Sequence, residues 1–577
     1  MALALAGLAG GAQASPCGQP LPGAGTAPSP FGIGPSYVNA RSRADLARWI
    51  PAMTAIGVST LRTTNAYWHV VEPRPGQWNW QALDEATGWL AGQNVAFGML
   101  LLGNPGWNTL DKPGTLPVNH LAGWTAYVTQ LARRLRGKVQ CFEVWNEPPN
   151  GTGATQTPAD YARLVQATYR AIKAVDPQMR VGLAAKSAHV HYLDLVIRAG
   201  ARNHFDYVTL HPYEVLDQVA ASSHPDAEAV YLNLVPAVRR MLAAANPQRQ
   251  DVPVVFTELG ITSAKGNAVQ ASGLVKAYVM GIAQGVANIQ WFEGRDGDSG
   301  PLGLLDAQGR QRPAYRALAT LIDHLGRQPA YVGWLLLNGR HPAFVFDGPR
   351  GPVAVAWTAA PVASEPLAFP TPVTVVDPLT SSASASPTPT LVRDPLLLTD
   401  LPASVLAKAA SNRGKPFRGD ADYATVTELF IDYEQGTTSG GLHTLGEAAV
   451  AESVRTYGGS ARAGNVPGGH LFVVHPSFLA GGHQPLEITV EVRRNAPQVG
   501  AGFNLKYEAA TATGFKTAAG GWFTVPPGTG WTRKTWRISD PRFVWQWGYN
   551  FVLDSDGVHH QYAIRSIRVR KIGKSGA

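Results

Sequence analysis

Between Phe31 and about Leu321, short apolar and β-branched runs alternate with longer stretches in which apolar residues recur every three or four positions. The short runs are Phe31–Gly34, Thr60–Thr63, Val95–Leu102, Val139–Trp145, Arg180–Ala184, Tyr207–Leu210, Val254–Thr257 and Asn288–Phe292. The longer stretches carry helical spacing, as in Leu46, Trp49, Ile50 and Met53, or Leu121, Trp124, Val128, Leu131 and Leu135. Strands joined by helices form parallel sheets, and eight strands suffice to close one. The pattern predicts an α/β fold, a (β/α)8 or TIM barrel, over residues 31–322, with the helices' apolar stripes covering it.

The helical period is lost from about residue 328 to 408, where short runs at Tyr331–Leu337, Ala343–Phe346, Val353–Trp357 and Thr374–Val376 predict a small β-sandwich. Apolar strands flank the Ser/Ala/Pro/Thr tract at 380–390, so it reads as a long sandwich loop and not as a linker. Residues 411–420 are rich in Gly, Pro and basic residues, and are the expected linker. Residues 421–574 read as all-β: Leu486, Ile488, Val490 and Val492 alternate with polar residues, as do Phe503, Leu505 and Tyr507. With Trp522, Trp531, Trp536, Trp545 and Trp547, this region is similar to jelly-roll carbohydrate-binding modules. Trp536 is an expected core residue, and Trp545 and Trp547, on one strand face, serve as core or as sugar platform.

A chain of 577 residues is too long for one core. Charged residues are 15% against 45% hydrophobic, and 61 Gly and 44 Pro suit loop-rich folds better than coiled coils. Residues 1–14 are apolar and small and end in Ala12-Gln13-Ala14, which predicts an export signal and a periplasmic or extracellular destination. No Lys or Arg precedes Arg41, so the basic segment that usually opens such a signal is not seen. No other run is long and apolar enough for a membrane span. Two cysteines argue against a disulfide framework: Cys141 reads as a small buried hydrophobe, and Cys17 has no evident role. The net charge of +9 comes from dispersed basic residues, densest at 565–574, without a nucleic-acid module. An anionic glycan or plain solubility accounts for it.

The candidate chemistry begins at Cys141-Phe142-Glu143-Val144-Trp145-Asn146-Glu147-Pro148. Alternation along a strand places Cys141, Glu143, Trp145 and Glu147 on one face and Phe142, Val144 and Asn146 on the other. Taken alone, Glu147 also reads as a strand-end residue in a solvated loop, since acidic residues are mostly exposed. A second β-rich run, however, ends at Glu258. Hydrolysis of a glycoside with retention needs one carboxylic acid to protonate the leaving oxygen and one carboxylate to attack the anomeric carbon, about 5–5.5 Å apart. Ends of different barrel strands can meet that spacing.

The sequence Phe142-Glu143-Val144-Trp145-Asn146-Glu147-Pro148 resembles the acid/base motif of clan A glycoside hydrolases, and most of all family 39. The resemblance covers residues 31–408, including the appended sandwich, and implies a retaining hydrolase with Glu147 as acid/base and Glu258 as nucleophile. It also implies substrate-site roles for several strand-end residues. Arg62 matches the clan's strand-2 arginine, which holds the nucleophile; the alternative is a barrel-interior ion pair with Glu143, and the two roles are compatible. Asn146 precedes the acid/base. Trp68, in the run Trp68, Glu72-Pro73, Gly76 and Trp78, is similar to the family 39 order. His211 and Tyr213, in Leu210-His211-Pro212-Tyr213, match a substrate-contacting histidine and a tyrosine that orients the nucleophile. Trp291 matches the tryptophan that floors the central subsite. Trp107 serves as sugar platform or loop packing, and Glu293 touches substrate or neutralises Arg295. Several families of the clan carry a histidine after strand 3, where this chain reads Gly103-Asn104-Pro105-Gly106-Trp107, so that contact is not carried over.

These features predict an exported, monomeric retaining hydrolase of an extracellular and possibly anionic polysaccharide, needing neither metal nor cofactor. Two other readings stay open: an exo-acting β-xylosidase or other clan A β-glycosidase, and a non-catalytic polysaccharide-binding matrix protein on a retired barrel. Retention of both glutamates with Arg62, His211 and Tyr213 speaks against the last.

Overall fold

The computed structural model describes residues 15–18, 29–149, 156–417, 419, 421–445, 450–451, 459–464, 469–479, 482, 484–495 and 500–573. The expected export signal at 1–14 lies outside them. Eight strands, β1 (Phe31–Gly34), β2 (Thr60–Thr63), β3 (Ala96–Leu101), β4 (Cys141–Val144), β5 (Arg180–Ala184), β6 (Tyr207–Leu210), β7 (Val254–Leu259) and β8 (Asn288–Phe292), pair in parallel order and close as β8 meets β1. This is the expected barrel. Its strands are buried on both faces, which is why they read as continuous apolar runs. The helix Leu121–Leu135 buries Trp124, Val128, Leu131 and Leu135 against them, on the face that the spacing predicts. The next helix, Pro158–Val175, starts at a reciprocal cap between Thr157 and Asp160, with Pro158 in its first turn.

Two departures from regular strand geometry set up the site. Strand β4 stops at Val144, and Trp145 and Glu147 take left-handed backbone angles, φ 66° and 50°. Simple alternation therefore fails beyond Val144, and Trp145 turns into the helix layer, 6.0 Å from the Trp124 ring. In β7 the register against β8 shifts between Phe256 and Leu259. The bulge lets consecutive residues, Thr257 and Glu258, both point into the barrel.

Cys17 and Cys141 form a disulfide, which corrects the expectation of unpaired cysteines. The two lie 124 residues apart in sequence, and only the fold brings them together. Residues 15–18 sit across the N-terminal mouth of the barrel, close to Gly98, Pro253 and Ala287, and Cys17 joins Cys141, Tyr207 and Val255 in a small apolar cluster. Cys141 is buried, as expected.

Beyond the barrel, six strands including Ala330–Leu337, His341–Gly348 and Gly351–Ala356 form an antiparallel sheet. The 380–390 tract is not wholly a loop, because Ala383–Ser386 is a strand on Val373–Val376. It is a sheet edge with exposed small side chains, so it carries no apolar period. The stretch 411–420 is also not a free tether along its described length. It begins inside the helix Ala403–Asn412; the Lys415 carbonyl accepts from Trp334 Nε1 at 3.0 Å, and Phe417 packs on Trp334 and Phe344.

Antiparallel sheets make up the described residues from 428 to 571, and Leu486, Ile488, Val490, Val492, Phe503, Leu505 and Trp536 are buried between them as the alternation predicts. Trp545 and Trp547, however, lie on an irregular segment between strands Thr532–Ile538 and Phe551–Asp554. Trp545 is buried and joins the barrel's apolar core together with Val544. The C-terminal sheets thus dock directly on the barrel. Arg542 pairs with Asp194, His443 Nε2 lies 2.6 Å from Asp226, and Gln218 donates to the Gly548 carbonyl at 2.8 Å. Among the described residues, no helix is long and apolar enough to cross a membrane.

Cross-linking two distant points of the chain restricts the unfolded state, so Cys17→Ser is expected to cost about 2–5 kcal/mol. Thermal unfolding with and without a reductant checks this; equal melting temperatures would leave the bond without a stabilising role.

Candidate active site

The site is built on Arg62, which β2 delivers into the barrel 6% exposed. Its guanidinium reaches across to β4, the turn after it, and β7. Nε donates to Glu143 Oε2 at 2.7 Å, Nη1 to Glu258 Oε2 at 2.8 Å, and Nη2 to Asn146 Oδ1 at 2.7 Å. Both expected roles of Arg62, ion pair and support of Glu258, therefore coexist. Burial opposes its charge, but Glu143 and Glu258 more than offset this and raise its pKa further above the ordinary value. Glu143 also accepts from Thr209 at 2.8 Å and Thr257 at 2.9 Å. Burial alone would raise the Glu143 carboxyl, yet Arg62 and His211 hold it at about 2.

Above this layer stand Glu147 and Glu258. One oxygen of each, with a ring nitrogen of His211, falls within a set of atoms all less than 4.8 Å apart. Tyr213 Oη donates to Glu258 Oε1 at 3.0 Å, so Glu258 is held from both sides. His211 Nδ1 lies 2.9 Å from Glu147 Oε1, and its Nε2 is 3.0 Å from Thr257 Oγ1. Burial lowers the imidazole pKa, but Glu258, Glu143 and Glu147 outweigh it and lift the value to about 9. Glu147 is raised by burial and lowered more by His211, Lys186 and Arg62, leaving it below the usual carboxylate range. The trio Glu147, His211 and Glu258 is close enough to embrace a cation, although Arg62 already brings positive charge into it.

Glu147 and Asn146 open onto a cavity of about 680 Å³ that is also lined by Tyr67, His69, Gly103, Asn104 and Trp145. His69 occupies the space a side chain at Gly103 would need, with its Nδ1 2.4 Å from the ideal Cβ position. Gly103 has φ +93°, a conformation open to glycine.

Six expected residues converge here: Glu147, Glu258, Arg62, Asn146, His211 and Tyr213. Asn146 does so from the face opposite to the one alternation assigns it, because the backbone turns at Trp145. Four others do not reach the site. Trp68 is fully buried, donates to Glu72 Oε2 at 2.6 Å and stacks on Tyr127 and His120. Trp107 donates to the Glu72 carbonyl at 2.8 Å and packs edge-on to Trp68, which is the loop-packing alternative. Trp291 is fully buried on the helix-facing side of β8: Asn288 and Gln290 point inward at Thr60 and Gly32, Ile289 meets Gly281 of the helix Asn267–Ala283, and Trp291 shares the face of Ile289. Glu293 is also fully buried and neither contacts the cavity nor pairs with Arg295. It accepts backbone N–H groups of Ser36 at 2.9 Å and Gly297 at 2.8 Å, and burial raises its pKa. Sequence reasoning missed Thr209, Thr257, Lys186 and Tyr67 as neighbours of the carboxylates. Their one signal was position at or just beyond a strand's C-terminal end. Burial pushes the Tyr67 hydroxyl up to about 12, against the pull of Arg62.

Known proteins resemble the chain in a profile match and in fold. Residues 116–293 match the profile of Glycosyl hydrolases family 39. A family 39 glycoside hydrolase from the gut symbiont Bacteroides cellulosilyticus is 18% identical, with a TM-score of 0.52 over 64% of this chain and 80% of that one. At that identity the likeness is one of fold. A family 51 alpha-L-arabinofuranosidase from Thermotoga petrophila has 11% identity and a TM-score of 0.45 over 64% of this chain and 97% of that one. No curated protein matches the sequence.

Two outcomes are expected. Arg62→Met leaves Glu143 buried without its cation and is expected to cost about 3–5 kcal/mol, most of it recovered in Arg62→Met/Glu143→Met, in urea unfolding. An unrecovered double variant would place the cost elsewhere. The second concerns pH. His211 is raised from 6.5 to about 9, so its contribution to stability is complete below 6.5 and is lost as pH rises through 9. Glu143, lowered from 4.5 to about 2, contributes above 4.5 and is lost as pH falls through 2. His211→Gln should flatten the alkaline fall in unfolding midpoints, and an unchanged fall would assign it to another group.

Proposed function

We propose that this chain, a retaining glycoside hydrolase whose residues 116–293 match family 39, uses Glu258 as nucleophile and Glu147 as acid/base on an extracellular polysaccharide. The observation that carries the reading is that one oxygen of each carboxylate lies within 4.8 Å of the other, with each carboxylate held by a different set of partners. That separation suits double displacement, whereas inversion needs about 6.5–9.5 Å to admit a water.

The partners divide the labour. Arg62 and Tyr213 both donate to Glu258 and aim it at the anomeric carbon. Glu147 shares a proton with His211 across 2.9 Å, and the two pKa directions put that proton on the imidazole. A bound sugar expels water and penalises the charged pair, so the proton passes to Glu147 and on to the glycosidic oxygen. In this first step the bond from Glu258 to the anomeric carbon forms as the glycosidic bond breaks. In the second, a water oxygen attacks that carbon, its proton goes to Glu147, and Glu258 leaves.

Three features support an exported enzyme acting on a polymer. Residues 1–14 end in an Ala-x-Ala pattern. The Cys17–Cys141 disulfide suits an oxidising compartment. The net charge of +9 favours contact with an anionic glycan.

Glu258→Ala should abolish turnover, and azide should restore it with an inverted product. Glu147→Ala should still release a good aryl leaving group in the first step, because that step needs no proton. Near wild-type turnover in both variants would refute the assignment. Tyr213→Phe is expected to lower kcat about tenfold or more with little change in melting temperature, since it removes one hydrogen bond to Glu258. Oligomers released from a digested polysaccharide would indicate internal cleavage, and monosaccharide alone would indicate an exo mode.

A further inference from the structure

The chain leaving β5 passes directly beside Glu147. Lys186 N–H donates to the Pro148 carbonyl at 3.0 Å, which fixes the Lys186 backbone one residue from the acid/base. Next to it, Ser187 O accepts from His211 N–H at 3.2 Å, and the Ser187 hydroxyl bonds Glu214 at 2.5 Å, so this loop is tied to the end of β6. The C-terminal domain closes over the same loop. Gly548 seats on Glu214 and Gln218, and Trp547 lies 4.6 Å edge-on from the His189 ring. The Lys186 ammonium lies 4.8 Å over the Trp547 ring.

Lys186 is the cation of this loop, and its charge acts on the Glu147 and Glu214 carboxylates. Lys186 is partly exposed, and among the described residues no carboxylate forms an ion pair with it. His189 beneath Trp547 is buried and neutral at physiological pH, because burial and Lys186 lower its pKa to about 3. The cation is held over an aromatic ring and keeps an exposed side on which a ligand can meet it. Resting on the assignment of Glu147 as acid/base, the geometry points to a leaving-group subsite formed by Lys186 and completed by Trp547 of the C-terminal domain, suited to a sugar that carries a carboxylate. Glu147 delivers its proton to the leaving oxygen, and Lys186 stands on the β5 side of Glu147, where the departing sugar would lie, opposite the cavity lined from the ends of β2, β3 and β4. Trp547 is a positioning residue, which makes the docked domain a part of the cleft.

The test uses the full chain and exploits transfer. A 2,4-dinitrophenyl β-glycoside chosen from a panel loads Glu258, and an acceptor in the leaving-group subsite then takes the glycosyl group. The Glu258–carbon bond breaks, the acceptor oxygen bonds the anomeric carbon, and the acceptor's proton goes to Glu147. Methyl β-D-glucuronide is compared with methyl β-D-glucoside as acceptor, and saturation-transfer NMR reads binding of the same two sugars without turnover. At low salt the glucuronide should be preferred about fivefold in both readouts, the scale of one exposed charge contact. Lys186→Gln should abolish the preference, Lys186→Arg should restore part of it, and Trp547→Ala should reduce it. Equal use of the two sugars by the wild type, or a preference that survives Lys186→Gln, would overturn the inference. Full preference in Trp547→Ala would remove the role of the C-terminal domain. Failure of azide rescue in Glu258→Ala would instead strike the catalytic assignment, and the NMR comparison would still judge the subsite.

Discussion

One buried guanidinium organises the catalytic end of this barrel. Arg62 binds Glu143, Glu258 and Asn146 with its three nitrogens, so residues from β2, β4 and β7 share one charge centre. Removing a cation and two carboxylates from water is costly, and the cost is tolerable because almost every polar atom in the layer has a partner. Glu143 illustrates the point: it lies in the interior and never faces substrate, yet it neutralises Arg62 and gathers Thr209 and Thr257. The planar fork of arginine places these donors on three separate nitrogens, so the three acceptors need not crowd around one atom as they would around a lysine ammonium.

That constraint separates the two upper carboxylates electrostatically. Glu258 is tied to a permanent cation and a phenol, whereas Glu147 is tied to an imidazole that can surrender its proton. Two identical side chains thereby acquire different chemistry from their neighbours alone. The positive φ of Trp145 and Glu147 and the bulge in β7 are the backbone distortions that bring the two together. In β7 the bulge occurs where a regular strand would have sent either Thr257 or Glu258 outward, and after Val144 the turn brings Asn146 in beside Glu147.

The C-terminal domain changes how the barrel's rim is understood. Composition alone suggested a module on a tether, free to act at a distance. In the fold, Arg542, His443, Val544, Trp545 and Gly548 bind the barrel surface. Trp547 reaches the loop beside Glu147.

The eight barrel strands, the alternating strands of the C-terminal domain and the pairing of Glu147 with Glu258 were all legible in the sequence. Periodicity is a local property, and a strand buried on both faces or on one face announces itself in a few residues. Arg62, His211 and Tyr213 were named through the resemblance to clan A motifs, and each sits at or just beyond the C-terminal end of a barrel strand. Other features depend on which way a side chain turns or what it meets across the fold. Trp68, Trp107 and Trp291 have the composition of a sugar site, but each is spent on packing or on Glu72, because a large ring gains most where water is fully excluded. Glu293 answers to the buried N–H groups of Ser36 and Gly297, partners 257 and 4 residues away. Cys17 finds Cys141 because the segment before β1 crosses the barrel mouth, and Lys186 meets Trp547 because two domains dock. Local pattern determines which elements form, whereas contacts between residues hundreds of positions apart exist only after those elements have packed.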